Sequence, residues 1–583
     1  MRAVRIGNFS GYLGDRYTAV DEALAGDPVD VLMGDYLAEV TLAALAVGHR
    51  RNSGGGYVAY FLDQLTPHLA TISERGIKVV SNAGGFNPAG LAAALRAVIA
   101  DAGVPLTVAH VEGDNVLDEL ATFHAEGHGM EHLDTGAPLK DWGVDPIAAN
   151  AYLGGYGIAE ALKAGVDIVV TGRVTDASLT VGPAAWWHGW TPDDFDALAG
   201  AVTAGHIIEC GAHATGGNFS GFLTVPGMLK CGFPIAEVAA DGSSVITKHA
   251  RDGGMVTVDT VTAQLVYEIQ GPRYLNPDAT VHLDTVQLSQ VGKDRVAIAP
   301  VRGSAPPPTA KVAVFAPIGY EISQMLFCTA PNVTQKVALL RDQLRAQLEG
   351  HVDELDVTAL GVAAEDPASQ AEATVPIRVM ATARDPEPLR RFPAAVGSLY
   401  LQGFPGFFHD GHAQRVSEPW PRIDYWPALL PSELVRHRAV LEDGTVLEAP
   451  VPSSSAIEPQ PVQPEPPAPA SSTGKRVPLG TLAYARSGDK GGNSNVGIWV
   501  PDPAAWEWLR TTLSTEGIRA LIPEAKGCEI VRHEFPHLRA VHVVLKGLLG
   551  TGGSSNLRVD QIGKSVCEYV RAKHVIVPAE LLS

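Results

Sequence analysis

Ten consecutive residues, Arg486-Ser487-Gly488-Asp489-Lys490-Gly491-Gly492-Asn493-Ser494-Asn495, put two cations, two hydroxyls and three glycines after a strand-like run. Glycines free successive backbone N–H groups to face an anion, an arginine can hold it through two parallel hydrogen bonds, and a lysine adds a point charge. Arg486, Ser487, Lys490, Gly491 and Asn493 are therefore candidates to bind phosphate or carboxylate. The competing reading is a flexible turn between strands. The spacing GxxxxGK followed by Ser or Thr, which defines a nucleotide phosphate loop, is absent. A second string, residues 546–558, has the same glycine-rich chemistry and could sit beside the first.

Loops in the first half carry the remaining chemistry. Asn82, Gly84 and Gly85 precede Pro88 at the start of a helical run, a place where backbone amides can approach an anion or a carbonyl oxygen. Arg173 and Asp176 directly follow an apolar strand, as a buried ion pair or as ligand-facing groups. Asp35, with Glu39 one helical turn on, and Asp114 also follow strands; each serves either as acid, base or hard-metal ligand, or as a helix cap. The stretch 205–219 gathers His206, Glu209, Cys210, His213, Thr215 and Gly216. Glu209 and His213 admit a divalent metal, Cys210 a nucleophile, and the rest a polar contact or a turn. The candidate proton-transfer residues are Asp35, Asp114, Asp176, Glu209 and His213, and sequence alone does not choose among them. Near the start, residues 7–16 hold three glycines after a strand, but not with the GxGxxG spacing of a dinucleotide site.

These loops need a frame. Strand, glycine-bearing loop and helix recur from residue 1 to about 240, with strand-like runs at 29–33, 77–81, 106–111 and 167–170. That order predicts a parallel sheet flanked by helices, with the loops along its carboxyl rim. After a proline run at 306–308 the pattern becomes α+β: strand 311–327, helix 333–350, strands 355–363 and 374–383, helix 386–396. Residues 449–476 are rich in Pro and Ser and read as a polyproline-like linker. Beyond it, strands near 477–485, 496–500 and 540–545, with helices at 504–516 and 561–572, predict an antiparallel sheet backed by helices. The expected layout is a core over 1–448, itself parallel α/β to about 305 and α+β from about 306, then the linker, then a module over 477–583.

At 583 residues, 46% of them hydrophobic and 19% charged, the chain is globular and too long for one core. A net charge of −20 with no basic run excludes nucleic acid and anionic membranes as natural partners. Without an apolar leader or a spanning segment, the expected location is cytoplasmic. Five scattered cysteines, Cys210, Cys231, Cys328, Cys528 and Cys567, form neither a disulfide framework nor a thiolate zinc motif.

Taken in order, the strings RIGNFSGYLGDR, GDYLAE, NAGGFNP, VTGRVTDASL, HIIECGAHATGGNF and ARSGDKGGNSNVG resemble the acyclic terpene utilisation AtuA family, with its ferredoxin-fold C-terminal domain. The resemblance implies catabolism of branched or isoprenoid acids as coenzyme A thioesters, by a hydroxyacyl-CoA lyase or an enoyl-CoA hydratase. Coenzyme A then enters as part of a small anionic acyl substrate, and a homo-oligomer is expected. Amides of the NAGG or HATGG strings would supply an oxyanion hole for the thioester carbonyl. The alternatives are a non-catalytic CoA-binding or assembly subunit and a metal-dependent hydrolase built on Glu209 and His213.

Overall fold

The computed structural model describes residues 2–52, 54–409, 418–468 and 474–582. Its central sheet has eleven strands among these residues. Five of them are parallel and lie in the spatial order β1 (Val4–Ser10), β2 (Val31–Gly34), β3 (Lys78–Ser81), β6 (Ile168–Thr171), β4 (Val108–Glu112). The expected apolar runs are these strands, buried on both faces as parallel strands must be. The helix Pro88–Ala102 shows why the local chain folds as it does. The Asn87 side chain caps the Gly90 amide at 2.8 Å, Pro88 fills the first turn, and Gly103 ends the helix at φ +66°.

The α+β stretch is not a separate layer. Its strand Thr309–Thr329 is 21 residues long and pairs with β5 (Ala148–Ala151) and Trp420–Pro431 at one end, and with Thr374–Ala383 at the other. Arg438–Val440 returns to pair with β4 at the edge of the central sheet. The change near residue 306 is therefore a change of pattern within one interlocked body. The helix expected over 386–396 is broken: Pro386–Leu389 stops and Phe392–Gln402 restarts with a proline in its first turn.

The C-terminal module is a four-stranded antiparallel sheet in the order Tyr484–Lys490, Asn493–Trp499, Ala540–Lys546, Glu529–Phe535, with its own apolar core. Its last helix covers only Val566–Ala572, because Gly563 turns the chain at φ +63° just before it. Residues 451–468 of the linker have no regular secondary structure but are fastened along the body. The Gln460 side chain accepts from the Arg273 amide at 2.8 Å and donates to the Arg273 carbonyl at 2.6 Å. Glu458 bridges Arg273 and His282, each at 2.9 Å. No described helix is long and apolar enough to cross a membrane.

Candidate active site

At the carboxyl rim the ends of the first three parallel strands are tied together by side chains. Asn8 donates to the carbonyls of Ser10 (2.9 Å) and Glu209 (3.2 Å), fastening the end of β1 to the end of the helix Phe195–Ile208. The Asp35 amide donates to the Ser10 carbonyl at 2.9 Å. Asp35 Oδ1 accepts from Asn82 Nδ2 at 2.7 Å and from the Leu37 amide at 3.1 Å, while Asn82 Oδ1 accepts from the Tyr36 amide at 2.8 Å. Asn82 thus orients a carboxyl group. Asp35 and Glu209 are each only 6% exposed. Burial pushes the Asp35 carboxyl well above the usual carboxylate range, and the nearby Asp176 and Glu209 push it further. Burial and then Asp176 do the same to Glu209. Neighbouring buried carboxyl groups of this kind share protons rather than all ionising at neutral pH.

Arg173 lies against this cluster. Its amide donates to Asp114 Oδ2 at 2.7 Å, and its guanidinium donates to the Leu37 carbonyl at 2.8 Å and to Asp176 at 2.7 Å. The guanidinium stacks 4.2 Å over the Tyr152 ring, and its Nε is buried with no hydrogen-bond partner among the described residues. Asp114 also accepts from Asn150 at 2.8 Å. Its Oδ2 thus holds the Arg173 loop in place and ties it to Asn150. Gly172 permits this close seat, since a Cβ there would lie 2.5 Å from the Asp114 oxygens.

The C-terminal module supplies the second cation. Most of the expected RSGDKGG loop is in fact strand: Arg486 pairs with Gly497 and Lys490 with Asn493, and only Gly491-Gly492 turns, Gly491 at φ +61°. Strand alternation then sorts the side chains. Arg486 and Lys490 reach into the core, whereas the Ser487 hydroxyl donates to the Gly563 carbonyl at 2.7 Å and accepts from the Cys567 amide at 3.0 Å inside its own module. Lys490 Nζ lies 3.1 Å from Glu268, which also takes Lys564 at 2.5 Å. Gly488, between the two cations, lets Tyr267 and Glu268 approach; a Cβ there would stand 2.6 Å from the Tyr267 ring. Burial opposes the charge on Glu268, but Lys490 and Lys564 outweigh it and hold its carboxyl well below the usual range. Burial likewise opposes the charge on Lys490, and Glu268 and Glu39 overcome it, with Tyr274 and Asp176 adding to them. Lys490 therefore stands as a retained cation among the rim carboxylates.

A second polar wall lies beside Arg173. Tyr152 donates to Glu39 at 2.9 Å, and Lys311 is 3.5 Å from Glu39 and 4.8 Å over the Tyr152 ring. Burial resists the charge on Glu39, but Lys311, Lys490 and Arg173 bring its carboxyl down to about 2. Lys311 also lies 5.7 Å from the ring centre of Tyr425, whose buried hydroxyl faces that of Tyr152.

Several expected roles take a different form. The NAGG amides are not an oxyanion hole: Gly85 donates to the Asn82 carbonyl at 3.2 Å, Ala83 to the Ser81 hydroxyl at 3.1 Å, and Gly84 packs so tightly that a Cβ would lie 2.4 Å from the Thr171 carbonyl. In the HATGG turn, Gly216 donates to the His213 carbonyl and Gly217 to the Ala212 carbonyl, while Thr215 donates to Gly232 and Ala212 carbonyls. The Gly85, Ala83, Gly216 and Gly217 amides are thus engaged within the chain. His213 accepts from Arg486 through Nδ1 at 2.8 Å, and burial, then Arg486, keep the ring neutral. It braces the hairpin, and the guanidinium beside it is a poor neighbour for a metal ion. Among the described residues no three His, Cys, Asp or Glu side chains gather as a metal would need. Burial and Glu209 push the Cys210 thiol well up, which leaves it a weak nucleophile. Asn493 donates to Asp134 at 2.7 Å and accepts from the Gly547 amide, shaping the hairpin turn. Glu268, Lys564, Tyr152, Lys311, Tyr274 and Tyr425 carried no motif; the one oddity among them, Glu268 at φ +53°, is invisible in sequence.

The family model described as acyclic terpene utilisation family protein AtuA matches residues 4–441, and that of the AtuA ferredoxin-like domain matches residues 477–576. No curated protein matches the chain.

Proposed function

This chain belongs to the acyclic terpene utilisation AtuA family, and we propose that it is a cytoplasmic enzyme acting on a branched or isoprenoid acyl thioester of coenzyme A, either cleaving a 3-hydroxyacyl chain or adding and removing water across it. The family assignment supports a place in terpene catabolism. The finer reading rests on one arrangement: Asp35 and Glu209 are both buried at the rim, burial and the shared neighbour Asp176 favour their protonated forms, and Arg173 and Lys490 are the cations there.

Both candidate reactions remove one proton and deliver another. In dehydration a base takes the proton at Cα, the C–O bond at Cβ breaks, and an acid protonates the departing hydroxyl to give water. In carbon–carbon cleavage a base takes the 3-hydroxyl proton, the Cα–Cβ bond breaks to a carbonyl and a thioester enolate, and an acid protonates the enolate carbon. One rim carboxyl ionised and another protonated would suit either sequence. Arg173 and Lys490 would hold the negative charge that builds on the thioester oxygen or on a substrate carboxylate.

The test is incubation of the purified protein with 3-hydroxyacyl-CoA and enoyl-CoA thioesters of branched chains, read by mass spectrometry. Turnover is expected, falling about 100-fold to 10,000-fold in Asp35→Asn and Glu209→Gln. A folded protein that turns over none of the panel refutes the reading.

A further inference from the structure

A cleft of about 630 Å³ opens between the core and the C-terminal module, within the usual range for a small-molecule site. Its walls come from the loop carrying His132, Thr135 and Trp142, from Tyr425 and Trp426, and from the Gly492 turn. The aromatic side is built: Trp142 lies 5.1 Å and His132 4.9 Å from Trp426, ring centre to ring centre, and Trp426 is pinned by its Nε1 donating to the Met130 carbonyl at 2.9 Å.

The cleft's charges are already spent. Asp134 accepts from Asn493, Asp424 accepts from Ser555 at 2.7 Å, and Lys546 pairs with Glu529 at 2.8 Å. Three carboxylates against one lysine repel phosphate, so the walls fit a neutral, extended ligand whose methylenes lie on the rings and whose amides meet backbone groups at the turn. The inner wall decides where that ligand leads. Tyr425 is only 5% exposed, and it stands between the cleft and the group formed by Lys311, Tyr152 and Glu39 beside Arg173. Its hydroxyl lies at that wall, beside the Tyr152 hydroxyl. Gly491 turns the hairpin against that wall, since a Cβ there would lie in ordinary contact, 3.6 Å from the Tyr425 ring.

We propose that this cleft binds the neutral pantetheine arm of the carrier thioester, directing the acyl end past Tyr425 toward Asp35 and Glu209 and leaving the nucleotide outside. The inference rests on the thioester reading above, and binding measurements separate the two. Equilibrium dialysis of the full chain should show pantetheine binding that AMP does not displace. Thr135→Trp, which fills the cleft from an exposed loop, should weaken it at least tenfold, and Trp142→Ala should weaken it several-fold. With an active substrate, Thr135→Trp should raise KM for the CoA thioester at least tenfold more than for the matching N-acetylcysteamine thioester. Pantetheine binding unaffected by either variant, or no binding at millimolar concentration, overturns the cleft assignment even if turnover stands. Displacement of pantetheine by AMP also overturns it, because the occupant is then the nucleotide. Cleft-dependent pantetheine binding without turnover upholds the site while the reaction proposed above fails.

Discussion

Replacing Lys490 with Met tests the idea that the C-terminal module completes the site. The substitution keeps the length and packing of the side chain and removes only its charge. Lys490 and Glu268 sit 3.1 Å apart with side chains 28% and 19% exposed, between the surface and the fully buried case. Stripping one partner from a fully buried pair costs about 3–5 kcal/mol, and exposed pairs are worth about 1 kcal/mol or less. Glu268 keeps Lys564 at 2.5 Å, so the loss should fall near the middle, at about 2 kcal/mol. Urea unfolding of Lys490→Met, Glu268→Gln and the double variant forms a cycle whose coupling should exceed about 1 kcal/mol. Turnover in Lys490→Met should drop about 100-fold to 1,000-fold if the ammonium faces the developing charge. A coupling near zero, together with unchanged turnover, would show that the hairpin cation neither holds the module nor serves the site.

Burial holds Asp114 up at about 6 from an ordinary value of 3.8, so its folded form prefers the proton. The stability this gives is complete below pH 3.8 and is lost as pH rises through about 6. Relative to wild type, Asp114→Asn should therefore gain about 2 kcal/mol between pH 4 and pH 7, read from urea midpoints at the two pH values. Gly84→Ala would put a methyl 2.4 Å from the Thr171 carbonyl and should cost about 1–3 kcal/mol while moving Asn82 away from Asp35; unfolding and turnover both report it. Gln460→Ala removes two hydrogen bonds to the Arg273 backbone, about 1–2 kcal/mol, and should speed proteolysis within residues 449–476.

The rim was legible because its residues obey a local rule. Asp35, Asn82, Arg173 and Asp176 each follow an apolar strand, and strand ends in a parallel sheet converge by construction. The identity of the family was legible for a related reason, since its strings are those same loops in order. What each glycine-rich string does was not. Composition shows that amides are available, but only the folded turn shows which of them, such as Gly85 and Gly217, are already engaged. The hairpin was misread as a loop because Gly488 and Gly491-Gly492 look like flexibility, although Gly488 sits within a strand to make room for Tyr267 and Glu268. Glu268 and Lys311 were out of reach: they meet Lys490 and Glu39 across 222 and 272 residues of chain, a juxtaposition set by topology alone.

The arrival of Lys490 from so far along the chain has a consequence for the protein's birth. On the ribosome, residues up to 448 emerge first and can pair their strands, yet the acidic rim then lacks one of its counter-charges. Lys490 reaches that rim only once the C-terminal module has folded, since it lies within that module's hairpin. A stop within the final module should therefore leave the N-terminal strands able to pair but the rim without the Lys490 ammonium.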